Sequence, residues 1–298
     1  MVFVKYVKSP FNYVGGKYKL LDVLLPLFPS DINVFLDVFG GGGNVSVNVA
    51  SESVVYNDHI RPLVSLLEYF SNHSTNRILD YIHHKIDTYG LSKYDKETFN
   101  QFRNYYNLRS NCILDLYILI CYSFNYQLRF NNKFEYNSSH GTNRSSFTQT
   151  MENNLINFLS RLHDINIQFT CKDYREINYN NLTSKDFVYF DPPYYISNAS
   201  YNDGNRGYGN WTNTEETRLY QILDDLNKKN IRWGLSNIIT NNNKTNNILQ
   251  DWLSENNYNY TIINSNYNNS NYQKKNRNGN TELYIYNYPI KEVQTTLI

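Results

Sequence analysis

Val34-Phe35-Leu36-Asp37-Val38-Phe39 reads as a buried strand and runs straight into Gly40-Gly41-Gly42-Gly43. Glycine lets the backbone turn sharply and approach a ligand closely. Asn44 and the small residues to Ala50 predict a helix beyond the turn. Strand, glycine turn and helix open a Rossmann-like unit, in which backbone amides meet an anionic or polar ligand. The glycines lack the usual Gly-x-Gly-x-x-Gly spacing, and a glycine cluster by itself also serves any tight crossover. A second strand, Val54-Val55-Tyr56-Asn57-Asp58, ends in an acid 18 residues after Gly40. An acid there can accept from ribose hydroxyls, so a nucleoside-bearing cofactor is the expected occupant.

A third strand carries different chemistry. Phe187-Val188-Tyr189-Phe190 is followed at once by Asp191-Pro192-Pro193-Tyr194. Proline lacks an N–H and fixes φ, so the pair ends the strand and holds the chain extended. Two acceptors then stand at the strand end, the Asp191 carboxylate and the carbonyl between the prolines, with the Tyr194 ring beside them. Acceptors without donors suit a substrate that is itself a donor, such as an amino group. A lone Asp-Pro is more often a capped surface turn; the complete strand context points away from that.

The remaining segments surround these strands. Residues 9–17 form a loop containing Gly15-Gly16-Lys17, and an amphipathic helix is predicted over 18–27. A lysine at a helix start opposes the helix dipole, which points to another partner for Lys17, such as a carboxylate. Residues 61–120 have four helical runs, with Leu63, Leu66, Leu67 and Phe70 in the first. So many helices between strands predict an inserted module beside the sheet. It ends in the aromatic and polar stretch 124–131 and the loop 137–144, where Arg129, Asn131 and Arg144 offer hydrogen bonds of the kind that read base edges. A solvated hairpin fits that composition equally well. Beyond it a helix over 151–162 and a strand over 165–170 lead to Asp173 and Tyr174, which could bracket an adenine moiety. A glycine-rich loop over 197–210 is expected to close over substrate. Then follow a helix over 215–228, a strand over 231–236, a helix over 248–256, and an antiparallel pair over 258–263 and 282–286.

Charge and cysteine usage narrow the class. The 28 basic and 27 acidic side chains nearly cancel, so a nucleic-acid binder must segregate its positive charge. Lys274, Lys275 and Arg277 do so in one acid-free loop. Three cysteines without metal-ligand spacing suit a reducing, intracellular compartment. The start lacks a signal-peptide pattern and the longest apolar run is too short to span a bilayer, so a soluble protein with no membrane or metal partner is expected.

Taken together, these segments resemble the Dam-type (D12 class, alpha group) DNA adenine-N6 methyltransferases. Phe11-Asn12-Tyr13-Val14-Gly15-Gly16-Lys17 resembles the family's N-terminal cofactor motif, Asp37-Val38-Phe39-Gly40-Gly41-Gly42 its glycine motif, and Asp191-Pro192-Pro193-Tyr194 its catalytic signature. Asn57-Asp58, Trp233-Gly234-Leu235-Ser236-Asn237 and Glu282-Leu283-Tyr284-Ile285 fall in the family order. The resemblance covers nearly the whole chain. It implies an α/β, Rossmann-like S-adenosylmethionine-dependent fold, with residues 1–60 and 160–298 catalytic and 61–159 an inserted target-recognition domain. It implies S-adenosylmethionine as methyl donor and a flipped adenine in a short duplex DNA site as acceptor. Asp191, Pro192, Pro193 and Tyr194 are then catalytic; Tyr13, Lys17, Asp37, Phe39, Gly40, Asp58, Asp173 and Tyr174 hold the cofactor; Arg129, Asn131 and Arg144 read DNA. A cognate restriction endonuclease is the implied partner of such an enzyme, which would act as a monomer or homodimer.

Of two departures from the family pattern, the one in the hairpin leaves the target open between GATC-like and CATG-like sites. The glycine motif holds four glycines, and Ser139-His140-Gly141-Thr142-Asn143-Arg144 replaces the Pro-Phe-Gly of GATC-reading members. Other functions compete. An RNA or other amine methyltransferase shares much of the pattern, and a catalytically inactive DNA-binding homologue would keep it. A nicotinamide dehydrogenase would use the glycine turn and Asp58 but has no role for Asp191-Pro192-Pro193-Tyr194.

Overall fold

The computed structural model describes residues 6–109, 112–196, 211–241, 244–263 and 280–290. The chain opens with a 3-10 turn (Lys17–Leu20), helix α1 (Leu21–Leu24) and a second 3-10 turn (Leu25–Leu27), then strands β1 (Val34–Asp37) and β2 (Ser53–Asn57). Helices α2 (Arg61–Asn72), α3 (Thr75–Tyr89), α4 (Lys96–Arg109) and α5 (Leu114–Tyr122) follow. After α6 (Gln149–Asp164) come β3 (Ile167–Thr170) and β4 (Phe187–Phe190). The last elements are α7 (Asn213–Lys228), β5 (Arg232–Asn241), β6 (Lys244–Thr245), α8 (Asn247–Asn256), β7 (Asn259–Ile263) and β8 (Thr281–Tyr286).

The strands form one sheet in the order β3-β2-β1-β4-β5-β8-β7, with β6 paired to β5. From β3 to β5 every pairing is parallel; β8 lies antiparallel between β5 and β7. Strand order reverses between β1 and β4, and a crevice opens outside the C-terminal ends of strands at such a point. Strand alternation supplies both faces. Phe35, Phe187, Tyr189 and Tyr284 pack with Leu20, Leu21, Leu24 and Phe28 on one side. Leu36, Val188, Phe190 and Trp233 pack with α7 and α8 residues Leu219, Leu223 and Leu249 on the other. A sheet covered on both faces reads as continuous apolar runs, which is why β4 has no polar position.

Three points differ from the sequence-based expectations. Residues 44–50 form successive turns, not a helix. Gly41 and Gly43 take φ of 50° and 78°, the β-branched Val45, Val47 and Val49 favour helix weakly, and the side chains of Asn44 and Asn48 are drawn to the N-terminal segment. Their amides bind the backbone of Ser9 and Val7 at 2.8–2.9 Å, strapping the N-terminal segment beneath the glycine turn. The stretch 124–144 pairs only through single bridges, Ser123 with His140 and Phe130 with Tyr136. Positive φ at Asn125 and Tyr126 breaks any ladder there. Strand β5 is longer than expected, running to Asn241 to meet β6. The helical segment shares its core with the sheet: Leu63, Leu67 and Phe70 of α2 cluster with Tyr56, with α5 and with Phe158 of α6. The loop over 197–210 and Lys274, Lys275 and Arg277 lie outside the described residues. Among the described residues no helix is long and apolar enough to cross a membrane.

Candidate active site

A cleft opens at the ends of β1 and β4, where strand order reverses. Its floor is the glycine turn. Gly40 N–H donates to Asn57 O at 2.8 Å and the Tyr56 hydroxyl to Gly41 O at 2.7 Å, so the turn lies flat against the Tyr56 ring. Asn57 ties three strand ends together, donating to Val38 O and Lys172 O and accepting from Lys172 N and the Thr170 hydroxyl. Asp58 is buried at the end of β2 and accepts from Gly41 N and Ile60 N, each at 2.9 Å. Each carboxylate oxygen has two lone pairs, so both retain capacity toward the cleft.

Asp37 ends β1 and is 1% exposed. Its Oδ2 accepts from the Ser46 hydroxyl at 2.5 Å, whereas Oδ1 has no partner among the described residues. Burial pushes its acid up to about 7, against the pull of Ser46 and Lys17. A buried acceptor left open costs free energy unless a donor arrives.

Opposite Asp37 stands Asp191. Lys17 Nζ donates to Asp191 Oδ1 at 2.6 Å and to the Tyr194 hydroxyl oxygen at 2.8 Å. The Tyr194 hydroxyl lies 3.0 Å from Asp191 Oδ1 and 2.8 Å from Glu282 Oε1. Lys17 is 2% exposed and Asp191 16%, so the pair is shielded from screening, with the carboxylate at the cleft wall. Lys17 Nζ and the Tyr194 hydroxyl both approach Asp191 at Oδ1, and among the described residues Oδ2 is its open oxygen. Burial raises the Asp191 acid, Lys17 lowers it and Glu282 raises it; the net direction is upward.

The cleft wall thus gathers Tyr13, Lys17, Asp37, Phe39, Gly40 and Asp58 with Asp191, Pro192, Pro193 and Tyr194. Arg129 also lines it, beside Gln127 and Leu128. Tyr174 lies one layer behind: fully buried, it packs 5.6 Å from the Phe39 ring and donates to Glu215 Oε2 at 2.7 Å. Asp173 is not a lining residue, and both its oxygens bind Arg175 at 2.7 Å. Burial raises its acid, but the Arg175 hydrogen bonds and charge outweigh that and hold it low. Asn131 and Arg144 also stand away from the cleft lining. The Asn131 amide caps its own turn, accepting from Lys133 N and Glu135 N and donating to Glu135 Oε2. Arg144 is exposed beyond Gly141.

Ser46, Asn44 and Glu282 complete the site and were given no role from sequence. Only Glu282 carried a signal, a lone acid in the apolar run 283–286. Asp37, Asp58 and Asp191 line the cleft with Lys17 and Arg129, so acidic groups are in the majority on its described lining. The open oxygen of Asp37 suits a cationic donor such as an ammonium group.

This strand order, with an acidic cleft at the reversal and an acceptor pair after β4, defines an α/β methyltransferase-type fold. The chain belongs to the D12 class N6 adenine-specific DNA methyltransferase family, whose model matches residues 13–271. It is 45% identical to Modification methylase StsI of Streptococcus sanguinis over 287 residues, 96% of this chain and 44% of that protein. It is 43% identical to Type II methyltransferase M.FokI of Planomicrobium okeanokoites over 286 residues, 95% of this chain and 43% of that protein. DNA adenine methylase of Escherichia coli (strain K12) is 25% identical over 230 residues, 76% of this chain and 79% of that protein. The chain therefore spans less than half the length of the first two relatives.

Proposed function

We propose that this chain transfers a methyl group to the N6 amine of an adenine in a short duplex DNA site, as the modification arm of a restriction-modification system. The observation that carries this is Asp191, anchored through one oxygen by Lys17 and Tyr194 with the other open to the cleft. The names of the 45% and 43% identical relatives, a modification methylase and a type II methyltransferase, support the same function.

When bound, S-adenosylmethionine supplies an electrophilic methyl group on a sulfonium sulfur. Asp37 would accept from its ammonium group, Asp58 from the ribose hydroxyls, and Tyr13, Phe39 and Gly40 would shape the walls. Lys17 is held by Asp191, so any contact it makes to the cofactor carboxylate would be shared with that ion pair. Asp173 would likewise share Arg175 with an adenine amine, and Tyr174 would act through Phe39.

The adenine amine is a weak nucleophile because its lone pair is delocalised into the ring. Asp191 and the Pro192 carbonyl would accept its N–H bonds and stabilise the positive charge developing on nitrogen. Holding nitrogen, methyl carbon and sulfur in line supplies the rest. The base must leave the duplex to reach this position, and the Tyr194 ring, fixed through its hydroxyl, would stack on it. Residues 61–159 are proposed as the target-recognition region, with Arg129 at the cleft reading bases and Arg144 contacting DNA farther out.

Transfer of labelled methyl from S-adenosylmethionine to duplexes bearing GATC, CATG or neither tests this, with single-stranded RNA as a competing acceptor. Asp191→Ala is expected to abolish transfer and leave duplex binding intact. Unchanged turnover in that variant would refute the assignment.

A further inference from the structure

Glu282 lies on β8, paired between Ile238 of β5 and Ile263 of β7, and is fully buried. It does not line the cleft. Its Oε1 accepts from the Tyr194 hydroxyl at 2.8 Å and lies 3.5 Å from Lys17 Nζ. A carboxylate in the middle of a sheet is costly, and one acid is enough to neutralise one lysine. Asp191 already does so at 2.6 Å. Among the described residues, the second acid leaves the cluster one negative charge in excess. Building on the proposed adenine methylation, we infer that Glu282 is a positioning residue that draws on Lys17 and Tyr194, leaving Asp191 incompletely neutralised and able to take the amine proton.

The balance is direct. The amine nitrogen bonds to the methyl carbon, the carbon–sulfur bond breaks with its electron pair left on sulfur, and the N–H proton passes to the open oxygen of Asp191. A lone Lys17–Asp191 pair would resist that protonation, because the lysine would be left uncompensated. With Glu282 present, Lys17 keeps a counter-charge after Asp191 is protonated. Among the described residues, the groups facing Asp191 are Lys17 and Tyr194, Glu282 from β8, Asp37 from β1 and the buried hydroxyl of Tyr189 from β4.

Single-turnover methyl transfer against pH, with cofactor and duplex affinity measured separately, tests the inference in Glu282→Gln and Glu282→Asp. Glu282→Gln is expected to slow transfer about 10²-fold while both affinities stay within about 3-fold. The acidic limb of its rate profile should move about one unit lower, as removing a nearby negative charge makes Asp191 a weaker base. Glu282→Asp keeps the charge and should keep the limb in place. A wild-type rate and limb in Glu282→Gln overturns the inference, as does slowing with an unmoved limb. If the glutamine variant does not fold, a displaced limb in the aspartate variant overturns it. A wild-type chain that methylates no duplex overturns the proposed function itself.

Discussion

The Ser46 hydroxyl holds Asp37 by one oxygen, at 2.5 Å, and leaves the other buried with no partner among the described residues. Because burial raises the folded-state acid to about 7, above its unfolded value, Asp37 stabilises the free fold below the unfolded carboxylate range. That contribution is lost as pH rises toward 7. A cationic ligand reverses the preference by favouring the ionised form. Affinity for S-adenosylmethionine is therefore expected to rise with pH up to about 7 and then level, with proton release on binding. Calorimetry in buffers of different ionisation enthalpy measures both, and Asp37→Asn should bind weakly with no such dependence.

Gly40 has no room for a side chain. A Cβ there would sit 2.1 Å from the Tyr56 ring, which its own bond to Gly41 O holds in place. Gly40→Ala is expected to lower stability by about 3 kcal/mol, at the upper end for overpacking. Tyr56→Phe should lose only the hydroxyl bond, about 1 kcal/mol. Chemical denaturation compares the two.

Glu216 of α7 is a buried carboxylate with donors on every side. Its Oε1 accepts from Tyr220, Asn237 and Asn246 at 2.6–2.8 Å, and its Oε2 from the Trp211 indole. These bonds join α7 to β5 and to the cap of α8, and fix Trp211 against Phe39 and Tyr174. Glu216→Gln turns one acceptor into a donor facing other donors. A loss of about 3 kcal/mol is expected, seen as a lower melting temperature.

Arg129 and Asn131 should separate in their effects. Arg129 lines the cleft, so Arg129→Ala is expected to weaken duplex binding and methylation, by about 1–3 kcal/mol if it pairs with a base. Asn131 serves its own turn, so Asn131→Ala should lower stability by about 1 kcal/mol and leave site preference unchanged. Methylation of a panel of single-base site variants distinguishes them.

Much of this architecture was legible because its signals are local. Val34 to Asp58 showed a strand, a turn and an acid within one short stretch, and β4 ran apolar into two prolines. The region after the glycines was misread as a helix because its asparagines are committed to Ser9 and Val7, contacts that no window of sequence contains. Lys17 showed a local anomaly, a cation at a helix start, but its partner is 174 residues away. The roles of Glu282 and Glu216 were hidden for the same reason: what a buried acid does is set by donors that the fold brings to it. Asp173 showed the opposite, since Arg175, two residues on, engages both its oxygens.

Strand β8 is inserted between β5 and β7, yet it is translated after both. A nascent chain emerging from the ribosome would hold the glycine turn, Lys17 and Asp191 before Glu282 has been synthesised. A chain cut short before β8 would leave β5 and β7 with no strand between them and would lack the bond that Glu282 makes to the Tyr194 hydroxyl.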